Sequence, residues 1–282
     1  MKIRYGKRHP ERVPYVNIVL LLMTAATTLV AGALQQGVDP IAEPSRLWEG
    51  LPFSVTLLFI LGSHEFGHYF VSKRHGVEVT LPYFIPAPSF IGTFGAFIKM
   101  KSPIMDRRVL LDIGAAGPIA GMIAAVPVVV AGLIVSEVRP GAAEGGIELG
   151  TSLLFAFLNW VVHGYIPDEA NIILHPVAFS GWIGLLVTSL NLLPVGQLDG
   201  GHVAYAILGR RQRKVAAAVI ALLFVLGVIG WSGWLIWVAL LVLLGIYHPP
   251  VVYEWVTLDR KRRVVGWMTL ALFVATFTPV PF

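Results

Sequence analysis

Long apolar runs alternate with short polar, mostly basic segments along the whole chain. Tyr15 to Ala33 is the first run, and at about 20 residues it is long enough to cross a bilayer as a helix. A cleavable signal peptide has a shorter apolar core and a small-residue cleavage site, so the pattern predicts a retained first helix. Residues 1–14, which carry Lys2, Arg4, Lys7, Arg8 and Arg12, precede it as a cytoplasmic segment. Pro52 to Val71, closed by Lys73 and Arg74, predicts a second span, and Val109 to Val135 a third. Pro176 to Leu193, Val215 to Ile229, Trp234 to Tyr247 and Val264 to Val280 predict four more. Thr151 to Val162 is apolar but too short to span in the usual way, and is expected to lie in the interface. The pattern therefore predicts an all-α polytopic membrane protein of about six to seven transmembrane helices, one integral membrane domain over residues 15–282.

One apolar stretch breaks the helical pattern. From Thr80 to Ser102 the chain carries Pro82, Pro86 and Pro88, through which no straight helix runs. The aromatic and β-branched residues from Phe90 to Ile98 suit short strands. Irregular backbone at membrane depth persists only where protein or a wet cavity satisfies it, so a re-entrant or interfacial β element is expected beside the functional site. Ser136 to Gly150, rich in glycine with Glu137, Glu144 and Glu148, predicts a loop.

The composition sharpens this reading. The chain is 56% hydrophobic and 13% charged, against about 25% charged in a soluble domain. It has no cysteine, which excludes disulfide frameworks, thiolate metal sites and cysteine nucleophiles. The net charge of +5 belongs to basic residues beside apolar spans and implies topology, not nucleic acid. With the amino terminus inside, the predicted map collects every Lys and Arg on the cytoplasmic side except Arg46 and Arg139. The chain is thus expected to be a multi-pass protein of the cell membrane, with its functional site opening to the cytoplasm.

That site lies in the second apolar run, where His64-Glu65-Phe66-Gly67-His68 is set into otherwise apolar sequence. On a helix His64 and His68 stand one turn apart on one face, so two imidazoles reach one zinc while Glu65, about 100° round, reaches its water. Ionisable groups at membrane depth cost several kcal/mol unless they serve a function. At 1.5 Å per residue the pair lies roughly 10 Å inside the cytoplasmic edge marked by Lys73. A catalytic zinc takes three protein ligands and one water, and Asp199, in a glycine-rich turn at the cytoplasmic end of the fourth span, is the best third ligand, with His202 of the same turn as its rival. His163 and His175 read as ordinary loop or interfacial residues. Gly117 and Gly121, four apart on the third span, allow a close helix approach, and Pro118 between them predicts a kink.

His64-Glu65-Phe66-Gly67-His68 together with Asn191-Leu192-Leu193-Pro194-Val195-Gly196-Gln197-Leu198-Asp199-Gly200-Gly201 resembles the site-2 protease family of intramembrane zinc metalloproteases, peptidase family M50. Gly92-Thr93-Phe94-Gly95-Ala96 is similar to chloroplast-type and bacterial or archaeal members. The resemblance covers about residues 53–202, the catalytic core it implies; the spans of residues 215–281 match nothing in it, and there is no room for a PDZ or CBS domain. It implies one Zn2+ per chain held by His64, His68 and Asp199, with Glu65 as acid/base. It further implies transmembrane protein substrates in a lipid bilayer. Asn191 is a candidate oxyanion donor, and Gly92, Thr93, Phe94, Gly95, Ala96 and Phe97 are candidate substrate-binding residues through strand addition. A proteolytically silent helix-binding chaperone would have little need of Glu65. A metal-ion transporter would string ionisable groups through several spans, which the other spans lack.

Overall fold

A computed structural model describes residues 14–141, 148–167 and 170–282. The basic segment predicted over residues 1–14 lies, except for Pro14, outside the described residues, as do residues 142–147 of the glycine-rich loop. The described elements are α1 (Tyr15–Gln35), α2 (Leu51–Arg74), β1 (Tyr83–Pro86), β2 (Thr93–Phe97), α3 (Arg107–Ile134), β3 (Glu137–Pro140), α4 (Leu153–His163), β4 (Ala170–Ile173), α5 (Pro176–Asn191), α6 (Asp199–Leu208), α7 (Gln212–Ile229), α8 (Gly233–Leu244) and α9 (Arg260–Thr276). Among the described residues three stretches are long and apolar enough to cross a membrane, Tyr15–Gln35, Arg107–Ile134 and Asp199–Ile229. Gly209, at φ +58°, divides the last of these into α6 and α7. The predicted sixth span shrinks to the 12 residues of α8, about 18 Å of helix against a hydrocarbon core of about 30 Å.

The 28-residue α3 is the axis. Asp106 caps its start, accepting from the main-chain N–H groups of Arg108 and Val109. α5 runs antiparallel along its second half. A Cβ on Gly132 would stand 2.1 Å from the main-chain nitrogen of Ala178, and one on Gly181 2.6 Å from a Val129 methyl. Such contacts are how helices hold together in lipid, where apolar burial between them gives no drive. α6 continues antiparallel along the first half of α3: Arg107 donates to the carbonyls of Ala206 and Ile207 at 2.8 and 3.0 Å, satisfying the open end of α6. The predicted fourth span forms as α5, and a second helix, α6, follows it along α3 after a gap. Asp199 does not sit in the glycine-rich turn that the sequence pattern suggests. It is the first residue of α6, after a gap at residues 192–198.

The β element forms as an antiparallel hairpin of β1 and β2, with Tyr83 opposite Phe97 and Phe84 opposite Ala96. It lies lengthwise on α1. The Asn17 amide donates to the carbonyls of Leu81 and Pro82, both at 2.9 Å, Thr27 to that of Gly92 at 2.7 Å, and Gln35 to that of Phe90 at 2.9 Å. Asn17 and Gln35 are near opposite ends of α1, so the hairpin extends over about 27 Å of it. Side chains of one helix thus meet main-chain carbonyls of the proline-broken stretch. Gly92, at φ +79°, makes the tip, where a Cβ would come within 2.6 Å of the Thr27 carbonyl oxygen.

The predicted loop after α3 contains strand β3, which pairs antiparallel with β4. His175, read from sequence as a loop residue, caps α5 by accepting from the N–H of Val177. α4 forms as the predicted short helix, with Leu153, Phe157, Trp160 and Val161 exposed. Between helices the buried hydroxyls pair, Thr28 with Ser54 at 2.7 Å and Thr56 with Ser180 at 2.6 Å. α9 is tied to α3 by Arg262, which forks onto Asp112 at 2.7 to 3.1 Å, while His75 meets the same carboxylate at 2.9 Å. If the α3–α5 contact is as close as Gly132 implies, Gly132→Val should destabilise the protein by about 1–3 kcal/mol through overpacking. Thermal unfolding in detergent reads this as a lowered midpoint; an unchanged midpoint would refute the contact.

Candidate metal centre

His64 and His68 of α2 face the gap between α5 and α6, where they meet Asn191 and Asp199. His64, Glu65 and His68 are 4 to 6% exposed, and Gly67 lets α2 touch α3, since a Cβ there would stand 2.6 Å from the Ala116 carbonyl oxygen. Gly117 and Gly121 of α3 do more than admit a helix. A Cβ on Gly117 would come within 2.0 Å of His68 Nε2, and one on Gly121 within 3.0 Å of His64 Nδ1. The two glycines make the hollow in which the imidazoles stand.

His64 Nε2 is 3.1 Å from Asp199 Oδ2, His68 Nε2 is 3.2 Å from the same oxygen, and the two nitrogens are 3.2 Å apart. Ligand atoms of His64, His68 and Asp199 all lie within 4.8 Å of one another. The tautomer of His68 follows from its other nitrogen: Nδ1 is 2.8 Å from the Ile113 carbonyl, which only accepts, so Nδ1 carries the proton and Nε2 offers its lone pair to the cluster. Two imidazole nitrogens and one carboxylate oxygen, with an outer hydrogen bond fixing one ring, are a donor set that fits zinc in a tetrahedral site.

Glu65 is on the adjacent face of α2, and α2 packs against β2. Asn191, the last residue of α5, brings its amide nitrogen to 3.4 Å from His64 Nε2. Thr93 is buried and donates to the Ile85 carbonyl at 2.7 Å, while Phe94 and Phe97 of β2 are exposed. Gly95 takes φ +98° in the strand, Ala96 pairs with Phe84, and Gly92 packs on α1. His202, the rival third ligand, is outside the cluster: its Nδ1 bonds His248 Nε2 at 2.7 Å. His248, buried in the segment between α8 and α9, carries no sequence signal of a role; a single His in a Pro-rich connection reads as a loop residue.

Fold and site together define a class: a helical membrane protein in which the helix after a gap carries a carboxylate to a His-Glu-x-x-His helix. The chain belongs to peptidase family M50, whose model matches residues 52–230. It is 31% identical over 239 residues to the probable zinc metalloprotease EGY2, chloroplastic, of Arabidopsis thaliana, covering 84% of this chain and 43% of that one. With the probable zinc metalloprotease EGY1, chloroplastic, of the same plant it is 36% identical over 166 residues, 57% of this chain and 30% of that one. EGY1 of Oryza sativa subsp. japonica is 34% identical over 166 residues, 57% of this chain and 28% of that one. The chain thus spans less than half the length of these relatives. No solved structure matches it at a significant level.

If the glycines shape the hollow, Gly117→Ala should cost more metal than Gly121→Ala, because a new methyl at 117 overlaps His68 Nε2 while at 121 it only crowds His64 Nδ1. Zinc content after purification is the measure. An equal content in both variants and the native protein would refute this placing of the rings.

Proposed function

We propose that the chain is an intramembrane zinc metalloprotease that hydrolyses peptide bonds within or near transmembrane segments of membrane-anchored proteins. The observation that carries this reading is the convergence of His64, His68 and Asp199 within 4.8 Å beside Glu65, in a chain of family M50. The names of the relatives, zinc metalloproteases, agree with it.

In this reading His64, His68 and Asp199 hold one zinc per chain. Zinc held there supplies Lewis acidity, polarising a carbonyl and making water more acidic. Glu65 takes a proton from the attacking water and returns it to the leaving amine nitrogen. Asn191 donates from its amide to the oxygen that gains charge, a contribution of about 3 kcal/mol where one such donor has been removed elsewhere. A substrate helix keeps its carbonyls in its own hydrogen bonds, so it must unwind first. β2 belongs to a two-stranded sheet with β1, and it packs against α2, the helix that carries Glu65. An extended substrate segment adds to it as a further strand, with Gly92 to Phe97 as the binding stretch.

The chain would cross the membrane about six to seven times, the α5–gap–α6 unit counting as one crossing and α8 packing on α7. The basic residues Lys73, Arg74, Arg107, Arg108 and Arg210 to Lys214 flank the ends of α2, α3 and α6 that lie together, which supports a cytoplasmic face and opening there. The reading places the protein in the cell membrane, with its amino terminus inside.

Glu65→Gln decides the central claim. The variant should bind as much zinc as the native protein, about one per chain, and cleave none of a panel of single-span substrates that the native protein cuts. Zinc in both forms without cleavage by either would favour a silent helix-binding protein; zinc in neither would refute the site. For the strand, Phe94→Pro should abolish most cleavage with zinc retained, since proline removes a main-chain donor and stiffens the edge. Native turnover in that variant would refute strand addition.

A further inference from the structure

The segment between α8 and α9, residues 245–259, is folded back over the gap between α5 and α6. The N–H of Gly196, in the gap itself, donates to the Ile246 carbonyl at 2.8 Å. Gly196 takes φ +56°, and a Cβ on it would stand 2.3 Å from the Gly245 oxygen, so the two backbones touch. Further along, Tyr205 of α6 donates to Glu254 at 3.0 Å. The Tyr253 N–H bonds the Met105 carbonyl at 2.8 Å, and Arg108 reaches the Thr257 carbonyl at 2.8 Å. One strap thus holds the gap, α6 and the start of α3.

His248 sits at its centre, 5% exposed. Its ring stacks on Tyr205, with centroids 4.5 Å apart. Its Nδ1 faces the Pro249 carbonyl, which only accepts, so Nδ1 carries the proton and Nε2 is an acceptor. His202 Nδ1, 2.7 Å away, must then be the donor. The order Pro249 carbonyl, His248, His202 is therefore fixed with both rings neutral. His202 lies one turn after Asp199 on α6, and this turn rests on Gly114 of α3: a Cβ there would be 2.8 Å from His202 Cβ and 3.4 Å from the Asp199 carbonyl oxygen. Ile113, the residue before Gly114, holds His68. Rotation or sliding of α6 would carry the Asp199 carboxylate away from both imidazoles, and the His248–His202 bond opposes it.

We propose that His248 is a positioning residue of the metal centre: through His202 it locks α6 in the rotation that brings Asp199 onto His64 and His68. This assigns a role to the C-terminal spans, which present the strap, and it rests on the metal reading given above. Outer-shell partners of metal ligands typically change affinity by about 10- to 100-fold when removed.

The test compares the native chain with His248→Phe, His248→Gln and His202→Leu in detergent. Zinc affinity is measured by chelator competition, and main-chain hydrogen exchange of residues 199–203 in the metal-free protein. Phe keeps a ring on Tyr205 and loses both hydrogen bonds, whereas the Gln amide both accepts and donates. His248→Phe should bind zinc about 10- to 100-fold more weakly and exchange faster in residues 199–203, and His248→Gln should stay close to native in both. Native affinity and exchange in His248→Phe overturn the proposal. An equal loss in Phe and Gln overturns it too, since hydrogen bonding would then not be what matters. Should His248→Phe not fold, His202→Leu removes the same bond from the α6 side, and native behaviour there is equally fatal. If the native chain itself binds no zinc, the metal reading fails, while exchange in the metal-free protein still reports whether His248 holds α6.

Discussion

The contact between the histidine face of α2 and the glycine stretch of α3 is the constraint on which the rest depends. In lipid two helices gain nothing by hiding apolar surface from each other, so they must gain by fitting closely or by hydrogen bonding. Here both occur in two turns. Gly67 brings α2 against the Ala116 carbonyl, Gly117 and Gly121 leave the volume the imidazoles fill, and the Ile113 carbonyl accepts a hydrogen bond from His68 Nδ1. Larger residues at these positions would push the helices apart or push the rings out. The spacing of four on each helix is thus set by the same pitch, 3.6 residues per turn, that pairs the histidines.

The sequence carried much of this openly. His64, Glu65 and His68 are legible because a polar triplet in an apolar helix has few explanations, and helical pitch alone puts the rings together. α1, α2, α3, α4 and α9 follow from apolar runs bounded by basic or polar residues. The hairpin was legible from three prolines, though its docking along α1 was not, because Asn17, Thr27 and Gln35 are unremarkable one by one and matter only through the carbonyls they meet. Hydropathy hid the helix that begins at Asp199 for a definite reason. The apolar run Pro176 to Leu193 looks continuous up to a Gly-rich turn, and only the packing of α6 on α3 through Arg107 and the glycine at 114 shows that a second helix follows the break. His248 was invisible, since its partner is 46 residues away.

Uncompensated polar groups are costly in the bilayer, and several of those described here are met by a neighbouring element. The hairpin's carbonyls are answered by α1, the C-terminal carbonyls of α6 by Arg107, and the hydroxyls of α1, α2 and α5 by one another. The Asp112 carboxylate is shared by Arg262 and His75 where α2, α3 and α9 meet. Such pairings fix depth and rotation as well as energy, because a helix that slides by one residue loses its partner altogether. Apolar contacts with lipid would tolerate the same slide, so the polar bonds supply the register that the hydrophobic pattern leaves open.

The break between α5 and α6 shows how the same economy serves chemistry. An unbroken helix would bury the main chain near Asp199 in its own bonds and offer the carboxylate no compensation except the histidines. Starting a new helix there changes the balance. Asp199 occupies the first turn of α6, where free N–H groups and the positive end of the helix dipole favour a negative charge, and Asn191 ends α5 on the other side of the gap. Interruption therefore costs a few main-chain hydrogen bonds, some of which return through Gly196 and Ile246, and in exchange puts a stabilised carboxylate and an amide at the depth of the two imidazoles. A continuous helix of the same composition would cross the bilayer as well, but it would present only one of these groups at a time to α2.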